Sequence, residues 1–391
     1  MGKPVQARDA RKLSGFKYFD LIGDLFERLR PVGTARDRAG NRQLFFDQYA
    51  ALLLLYYFNP TVTTLRGLQQ FTSLGKVQRL LGVRPTSLGS LSEAARVFDA
   101  QALEPIIADL AARATREPAG MPSAKEAALA GLIAVDGSLL PALPRMAWAL
   151  WRDETHRAAK MHVAFAVFPG VPVEVSVTAG THSERTELRQ FVQRGGFYVF
   201  DRGYADYAMF RAFDEAGAKF VGRIQENTAF DVREERTLTE TDRAAGVVRD
   251  VTVKRLGTEK HNPWLRQPMR IVQVRGSEPG HVWILATNQL DLPADLIALA
   301  YRYRWQIELF FRWMKCVLGC RHLLSDDANG VTLQVYCAVI ASLLLALWTG
   351  AKPGKRTFEM LCHYLSGWAT AEEVEHHLKS LPPATGPPSK L

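Results

Sequence analysis

Two short apolar runs limit what this chain can fold into more than any other feature. Residues 132–138 (LIAVDGS) and 197–204 (FYVFDRGY) each read as a strand that delivers an aspartate at its end, Asp136 and Asp201. The glycine after Asp136 leaves room for something to approach closely. Between the two runs, 161–168 and 171–177 read as strands joined by Pro169-Gly170 in a hairpin turn. Helical patterns follow at 186–192 and 207–216, and a short strand at 220–224. Over 228–280 the periodicity turns to strands with charged alternation, including 247–256 and 269–274. Another buried strand, 282–287 (VWILAT), leads into one long helix over 292–318. The order is that of an α/β core interrupted once.

That last helix carries a polar stripe. At about 100° per residue, Tyr301, Arg304, Glu308 and Lys315 fall within about 60° of one another. Ile307, Phe310, Met314 and Val317 lie opposite, an apolar face suited to packing on a sheet. From Tyr301 to His322 there are five Lys or Arg and one acid, Glu308. Alone, Arg304 and Glu308 make an i,i+4 pair worth a few tenths of a kcal/mol, and an aspartate at a strand end also caps turns and following helices. Together, carboxylates on two strand ends and one helix can converge at a sheet edge and hold two divalent cations about 4 Å apart. Hard oxygen ligands select Mg²⁺ or Mn²⁺ over zinc. A two-carboxylate glycosidase would use Asp136 and Asp201 but leave Tyr301, Arg304 and Lys315 without a role.

The remaining composition points the same way. The 391 residues suffice for two or three domains. A net charge of +9 favours a polyanionic partner. Four cysteines do not form a secreted disulfide framework, so a reducing cytoplasm is expected. The basic N-terminus lacks the apolar stretch of a signal peptide. The apolar run at 333–348 contains Gln334 and is too short to span a bilayer, so it reads as a buried helix and no membrane partner is expected. Ten Lys or Arg against five acids in residues 1–45 form a basic arm. Helical patterns follow at 19–29 and 43–58. A further helix is expected to begin at Ser90, with Glu93 as its capping-box partner, and to run through Leu110. Arg66, Lys76 and Arg79 could present a helix to a DNA groove, although a purely packing or dimerising role fits the same pattern. Cys316, Cys320 and His322 lack a matching second pair for zinc and read as core residues. His162 and His182 lie in core segments. The cluster at 352–356 and the proline-rich tail after 381 read as solvated.

Asp136 in VDGS, Asp201 in FDRGY and the stripe spaced tyrosine-x2-arginine-x3-glutamate-x6-lysine closely resemble a bacterial insertion-sequence transposase of the DDE superfamily, in the group named for insertion sequence four. The resemblance covers nearly the whole chain. It implies an RNase H-like core, a mixed sheet flanked by helices, with a β-rich insertion between the second aspartate and the glutamate, plus an N-terminal all-helical domain. The organisation expected is a helical DNA-binding domain at 1–116, a linker at 117–126, catalytic core at 127–225, the insertion at 226–281, core again at 282–350, and a C-terminal helical region and tail at 351–391.

The same resemblance implies that Asp136, Asp201 and Glu308 are the catalytic metal ligands for two Mg²⁺ ions, with Mn²⁺ able to substitute. Tyr301, Arg304 and Lys315 would contact phosphates of the transposon-end DNA, and Arg202 would lie near the DNA. Trp283 would stack on a flipped base, an aromatic on a core strand being the alternative. The implied activity is cleavage at terminal inverted repeats and transfer of the 3′ end into target DNA. Double-stranded DNA is then the partner, in a synaptic homodimer whose contact is expected within 333–378, and the protein would be nucleoid-associated when bound. A catalytically silent relative that only binds DNA is the alternative.

Overall fold

The computed structural model describes residues 23–34, 40–59, 61–116, 123–142, 146–149, 157–258, 268–276, 280–320, 322–350 and 354–381. The basic arm before residue 23, the linker at 117–122, part of the 352–356 cluster and the tail after 381 lie outside the described residues. The chain divides into two compact units, one drawn from the first 119 residues with 139–159 and 312–384, the other from 120–138 and 160–311.

The first unit is helical and built around Ala328–Thr349, a 22-residue helix. Asp327 caps it by accepting from the Asn329 and Gly330 N–H groups. The helix is apolar on every side, as befits a helix surrounded by others, and Leu333, Val335, Cys337, Val339 and Leu343 are wholly buried. Its one awkward group, Gln334, donates to the His322 carbonyl at 2.6 Å and accepts from Leu324 N–H at 2.8 Å. Among the described residues this is the one helix long and apolar enough to cross a membrane, yet 89% of its most apolar window is buried inside the protein. Against it pack Phe46–Tyr57, whose Tyr57 hydroxyl donates to the Gln334 carbonyl at 2.8 Å, and Glu104–Arg116, whose Glu104 accepts from Tyr336 at 3.0 Å.

Two expectations shift here. The helix expected from Ser90 begins at Leu88, because Ser87 rather than Ser90 supplies the cap, accepting from Ser90 N–H at 3.1 Å. It stops at Val97, and a separate turn, Ala100–Leu103, precedes Glu104–Arg116. Much of 333–378 is also core. Exposed surface there is concentrated on Lys355–Leu365, Ala371–Lys379 and the turn between them, where Trp368 is 85% exposed.

The second unit is built on a nine-stranded mixed sheet among the described residues: β1 Leu132–Pro141, β2 Ala158–Ala166, β3 Val171–Ala179, β4 Phe197–Phe200, β5 Lys219–Arg223, β6 Phe230–Glu235, β7 Val247–Leu256, β8 Met269–Arg275 and β9 Val282–Thr287. Their order is β3-β2-β1-β4-β5-β9-β8-β7-β6. Gly170, at φ 71°, supplies the left-handed residue of the β2–β3 turn. β1, β4 and β5 run parallel, while β5, β9, β8, β7 and β6 pair antiparallel in turn. This is the mixed, helix-flanked sheet expected of an RNase H-like core. The strands of 226–281 lengthen that sheet instead of forming one of their own. Tyr207–Glu215 covers β4 and β5 through stacked aromatics, Phe200 on Phe213 at 5.5 Å and Phe210 on Phe220 at 5.0 Å.

The added strands also brace the segment after β9. Arg270 on β8 makes two bonds, 2.8 and 2.7 Å, to Asp250 on β7, both side chains at most 4% exposed. Its remaining nitrogen donates to the carbonyls of Gln289, Leu290 and Leu292, just before the helix Ala294–Tyr303. Asp242, from the short helix Glu240–Ala244, accepts from Asp295 N–H at 2.9 Å. A buried ion pair is costly to break from one side, because the surviving charge stays buried. Arg270→Met should therefore lower the stability of this unit by about 3–5 kcal/mol in denaturant unfolding, while the double change Arg270→Met with Asp250→Leu should cost less.

Candidate active site

The parallel register dictates which side chains meet at the sheet edge. Val135 pairs with Phe200 and Phe200 with Gly222. The next residues in register are Asp136, Asp201 and Arg223: Arg223 ends β5 and Asp201 follows the last residue of β4, whereas Asp136 is the fifth residue of β1, which runs on to Pro141 instead of ending there as the sequence suggested. Ligand sites of open α/β sheets lie outside the carboxyl ends of such strands. Asp136 Oδ1 accepts from Gly137 N–H at 2.8 Å, and Asp201 Oδ1 from Arg202 N–H at 2.7 Å.

The stripe residues reach this edge from two helices, Ala294–Tyr303 and Trp305–Arg312. The hydrogen bonding tightens between them: Arg304 N–H donates to Tyr301 and Ile307 N–H to Arg304, both at 3.1 Å in i→i+3 fashion. The apolar side seats Trp305–Arg312 on the sheet, with Phe310 5.1 Å from Phe165 of β2. Arg304 is the centre of the cluster. Its Nη2 lies 2.6 Å from Glu308 Oε1 and its Nη1 3.6 Å from Asp136 Oδ2. The Tyr301 hydroxyl donates to Asp201 Oδ1 at 2.9 Å. Asp136, Asp201 and Glu308 are thus joined into one cluster through Arg304 and Tyr301.

Charge and burial separate the two aspartates. Burial pushes the Asp136 carboxyl up to about 6; Arg304 and the Gly137 N–H oppose this, while Glu184 and Glu308 add to it. Burial also raises Asp201, but Arg304, the Arg202 N–H, Tyr301 and Arg223 outweigh it and hold that carboxyl below its ordinary range. Burial pushes the Tyr301 hydroxyl up, and the charge of Asp201 adds to that, so the phenol stays a proton donor. For Arg304, burial works against the charge, and Tyr301, Asp201, Glu308 and Asp136 together more than restore it.

The other expected residues fall as follows. Trp283, on β9, is half-buried and meets Tyr301 edge-on at 5.4 Å, with the Arg223 guanidinium 5.7 Å from its ring centre. Arg202 is exposed beside Asp201. Lys315 lies on the direct continuation of the Glu308 helix. The regular helix ends at Arg312, and Lys315 sits on a π-helical turn, Trp313–Val317, that belongs to the helical unit. A π turn holds more residues than an α turn, so the straight-helix phase that put Lys315 on the stripe does not carry through it. Cys320 is buried and Cys316 exposed. The sequence pattern did not single out Arg223, Glu184 or Tyr204. Arg223 had a signal, for it too is a charged residue ending an apolar strand.

The donor set is three carboxylates, hard oxygen ligands suited to a divalent cation. Among the described residues no three of His, Cys, Asp and Glu lie together as a group that could hold a metal ion as they stand. Arg304 instead supplies the positive charge, and Asp136, still raised, has less of it than its burial calls for. The cluster therefore fits a cation in charge and chemistry.

Residues 128–344, more than half of the chain, match the family described as transposase DDE domain, and the chain belongs to that family. It is 32% identical over 214 residues to a protein of Sinorhizobium fredii named as a transposase, y4zB, covering 54% of this chain and 59% of that one. It is 28% identical over 213 residues to the Geobacillus stearothermophilus protein named as the transposase of insertion sequence element IS5377, covering 54% and 55%. The matches span little more than half the length of these relatives. A cryo-EM structure of the piggyBac transposase synaptic complex with hairpin DNA superposes with a TM-score of 0.43 at 11% identity, over 96% of this chain and 83% of that one.

The raised pKa of Asp136 has a consequence for stability. Well below its ordinary value of 3.8 the carboxyl is neutral whether the chain is folded or not; as pH rises through 3.8 and on to about 6, the unfolded chain ionises it while the folded protein keeps it neutral at a growing cost in stability. Asp136→Asn should therefore be more stable than wild type at pH 8 without divalent metal, by up to about 3 kcal/mol, and unfold at a higher temperature. The difference should shrink as pH falls from about 6 and vanish only well below 3.8, in thermal scans across the pH range.

Proposed function

We propose that the protein is a DNA transposase, of the group named for insertion sequence four, that cuts phosphodiester bonds at terminal inverted repeats and joins the freed 3′ end to target DNA. What supports this most is the register that sets Asp136 beside Asp201, with Glu308 joined to them through Arg304 and Tyr301. Asp136, Asp201 and Glu308 would hold two Mg²⁺ ions. Bound there, the cations activate the attacking oxygen and stabilise the leaving one.

The chain's own groups prepare the site. Tyr301 fixes the Asp201 carboxylate by one hydrogen bond. Arg304, with five donors and a permanent charge, offers a partner to a phosphate oxygen once the carboxylates have theirs. Arg202 and Arg223 add positive charge at the same edge for the DNA backbone. Trp283, held edge-on by Tyr301, presents an aromatic face to an unstacked base. Because each site acts on one DNA end, a synaptic homodimer pairs the two ends.

Cleavage of a labelled duplex carrying the inverted repeats that flank the coding region, with Mg²⁺, tests this. Glu308→Gln should bind the ends like wild type and lose more cleavage than the about 10–100-fold typical of an outer-shell change at a metal site. If wild type binds the ends without cutting under any divalent metal, the silent DNA-binding alternative replaces this function. If Glu308→Gln cuts normally, the catalytic assignment fails.

A further inference from the structure

Glu184 opens the helix Glu184–Phe191, and the mechanism above gives it no task. Its carboxylate nevertheless faces the site. Oε1 accepts from Lys160 Nζ at 3.1 Å, the lysine side chain being 14% exposed. A methyl group added at Gly137 would lie 3.4 Å from Oε1, and one at Gly203 would lie 3.2 Å from Oε2. Gly137 directly follows Asp136, and Gly203 is two residues past Asp201. Glu184 thus abuts the backbone just beyond both aspartates.

Two more polar atoms converge on the same spot. A methyl at Gly137 would also lie 3.2 Å from the Tyr204 hydroxyl and 3.4 Å from His162 Nδ1. Tyr204 is 2% exposed and His162 1%, and neither atom has a hydrogen-bond partner. Buried polar atoms in this state are rare and point to water or an ion. The tautomer of His162 follows from its neighbour. The Thr178 hydroxyl donates to the Ala179 carbonyl at 3.2 Å, so at 2.8 Å it accepts from His162 Nε2–H, and Nδ1 is left as a bare acceptor. Glu184 is a second acceptor. Two acceptors facing one small space beside a cation ligand match the two hydrogens of a water whose lone pair is turned to the cation, with Tyr204 as a third partner.

We propose that Glu184, with His162 and Tyr204, holds a water of the hydration shell of the divalent cation bound at Asp136, which makes Glu184 a positioning residue of the metal site. This rests on Asp136 being a metal ligand. Mg²⁺ surrenders its waters reluctantly, so groups that hold them contribute to affinity, and loss of such partners costs about 10–100-fold. Gly137 is part of the arrangement, since a side chain there would crowd Tyr204, Glu184 and His162, the three groups that face the water.

Binding of Mn²⁺ to the full-length protein, followed by the electron paramagnetic resonance signal of free Mn²⁺, tests this apart from catalysis. Glu184→Gln should weaken binding about 10-fold or more, Glu184→Asp should recover part of it, and Gly137→Ala should weaken it without removing a carboxylate. Lys160→Met, which removes only the ion-pair partner, should not weaken it. Thermal midpoints of the same variants report folding. If Glu184→Gln and Gly137→Ala bind Mn²⁺ as wild type does while Asp136→Asn binds it poorly, Glu184 is only the partner of Lys160 and the proposal fails alone. If Asp136→Asn also binds normally, the metal assignment falls and takes the proposal with it.

Discussion

The guanidinium of Arg304 touches Glu308 and Asp136 directly, and its charge reaches Asp201. Like charges brought within a few ångströms inside a protein repel by several kcal/mol unless something offsets them. With its side chain only 12% exposed, Arg304 is shielded little by water. Arg304 and Arg223 help offset the burial of Asp201, whereas at Asp136 Arg304 does not offset burial and the charges of Glu184 and Glu308, and this deficit leaves its carboxyl driven up. A divalent ion would remove that deficit and release Arg304 for a phosphate.

Geometry supplies what charge alone does not. Parallel pairing of β1, β4 and β5 places three charged residues in a row, and hydrogen bonds from the following backbone N–H groups fix both aspartates. The helices bearing Tyr301 and Glu308 are held from elsewhere in the sheet. Arg270 and Asp250, buried in the added strands, grip the carbonyls that lead into Ala294–Tyr303. The β-rich stretch thereby has a structural part in the site although it contributes no acid to it. The tightened turn at Arg304 lets Tyr301 address Asp201 while Arg304 bridges Asp136 and Glu308.

Much of this was legible because it is written in short-range patterns. The apolar runs before Asp136 and Asp201 are strands, as their composition suggested, although β1 continues through Asp136 to Pro141, and the spacing of Tyr301, Arg304 and Glu308 survives the break between their helices. The regular helical period behind the placing of Lys315 on the stripe stops at Arg312, and nothing in WMKCV announces the π turn that follows. Glu184 went unnoticed for a different reason. An acid in the first turn of a helix is ordinary, and the helix had been expected to begin only at residue 186. Its closeness to Gly137 arises from β1, β2 and the turn after β4 meeting in space. The N-cap at Ser87 was missed because two serines three residues apart satisfy the same rule.

The most direct test of the central claim is anomalous diffraction from crystals of the protein soaked in Mn²⁺. The account predicts anomalous peaks among Asp136, Asp201 and Glu308, with Arg304 withdrawn from Asp136. Crystals that take up Mn²⁺ elsewhere, or that leave Arg304 paired with Glu308 and Asp136 at saturating Mn²⁺, would contradict it.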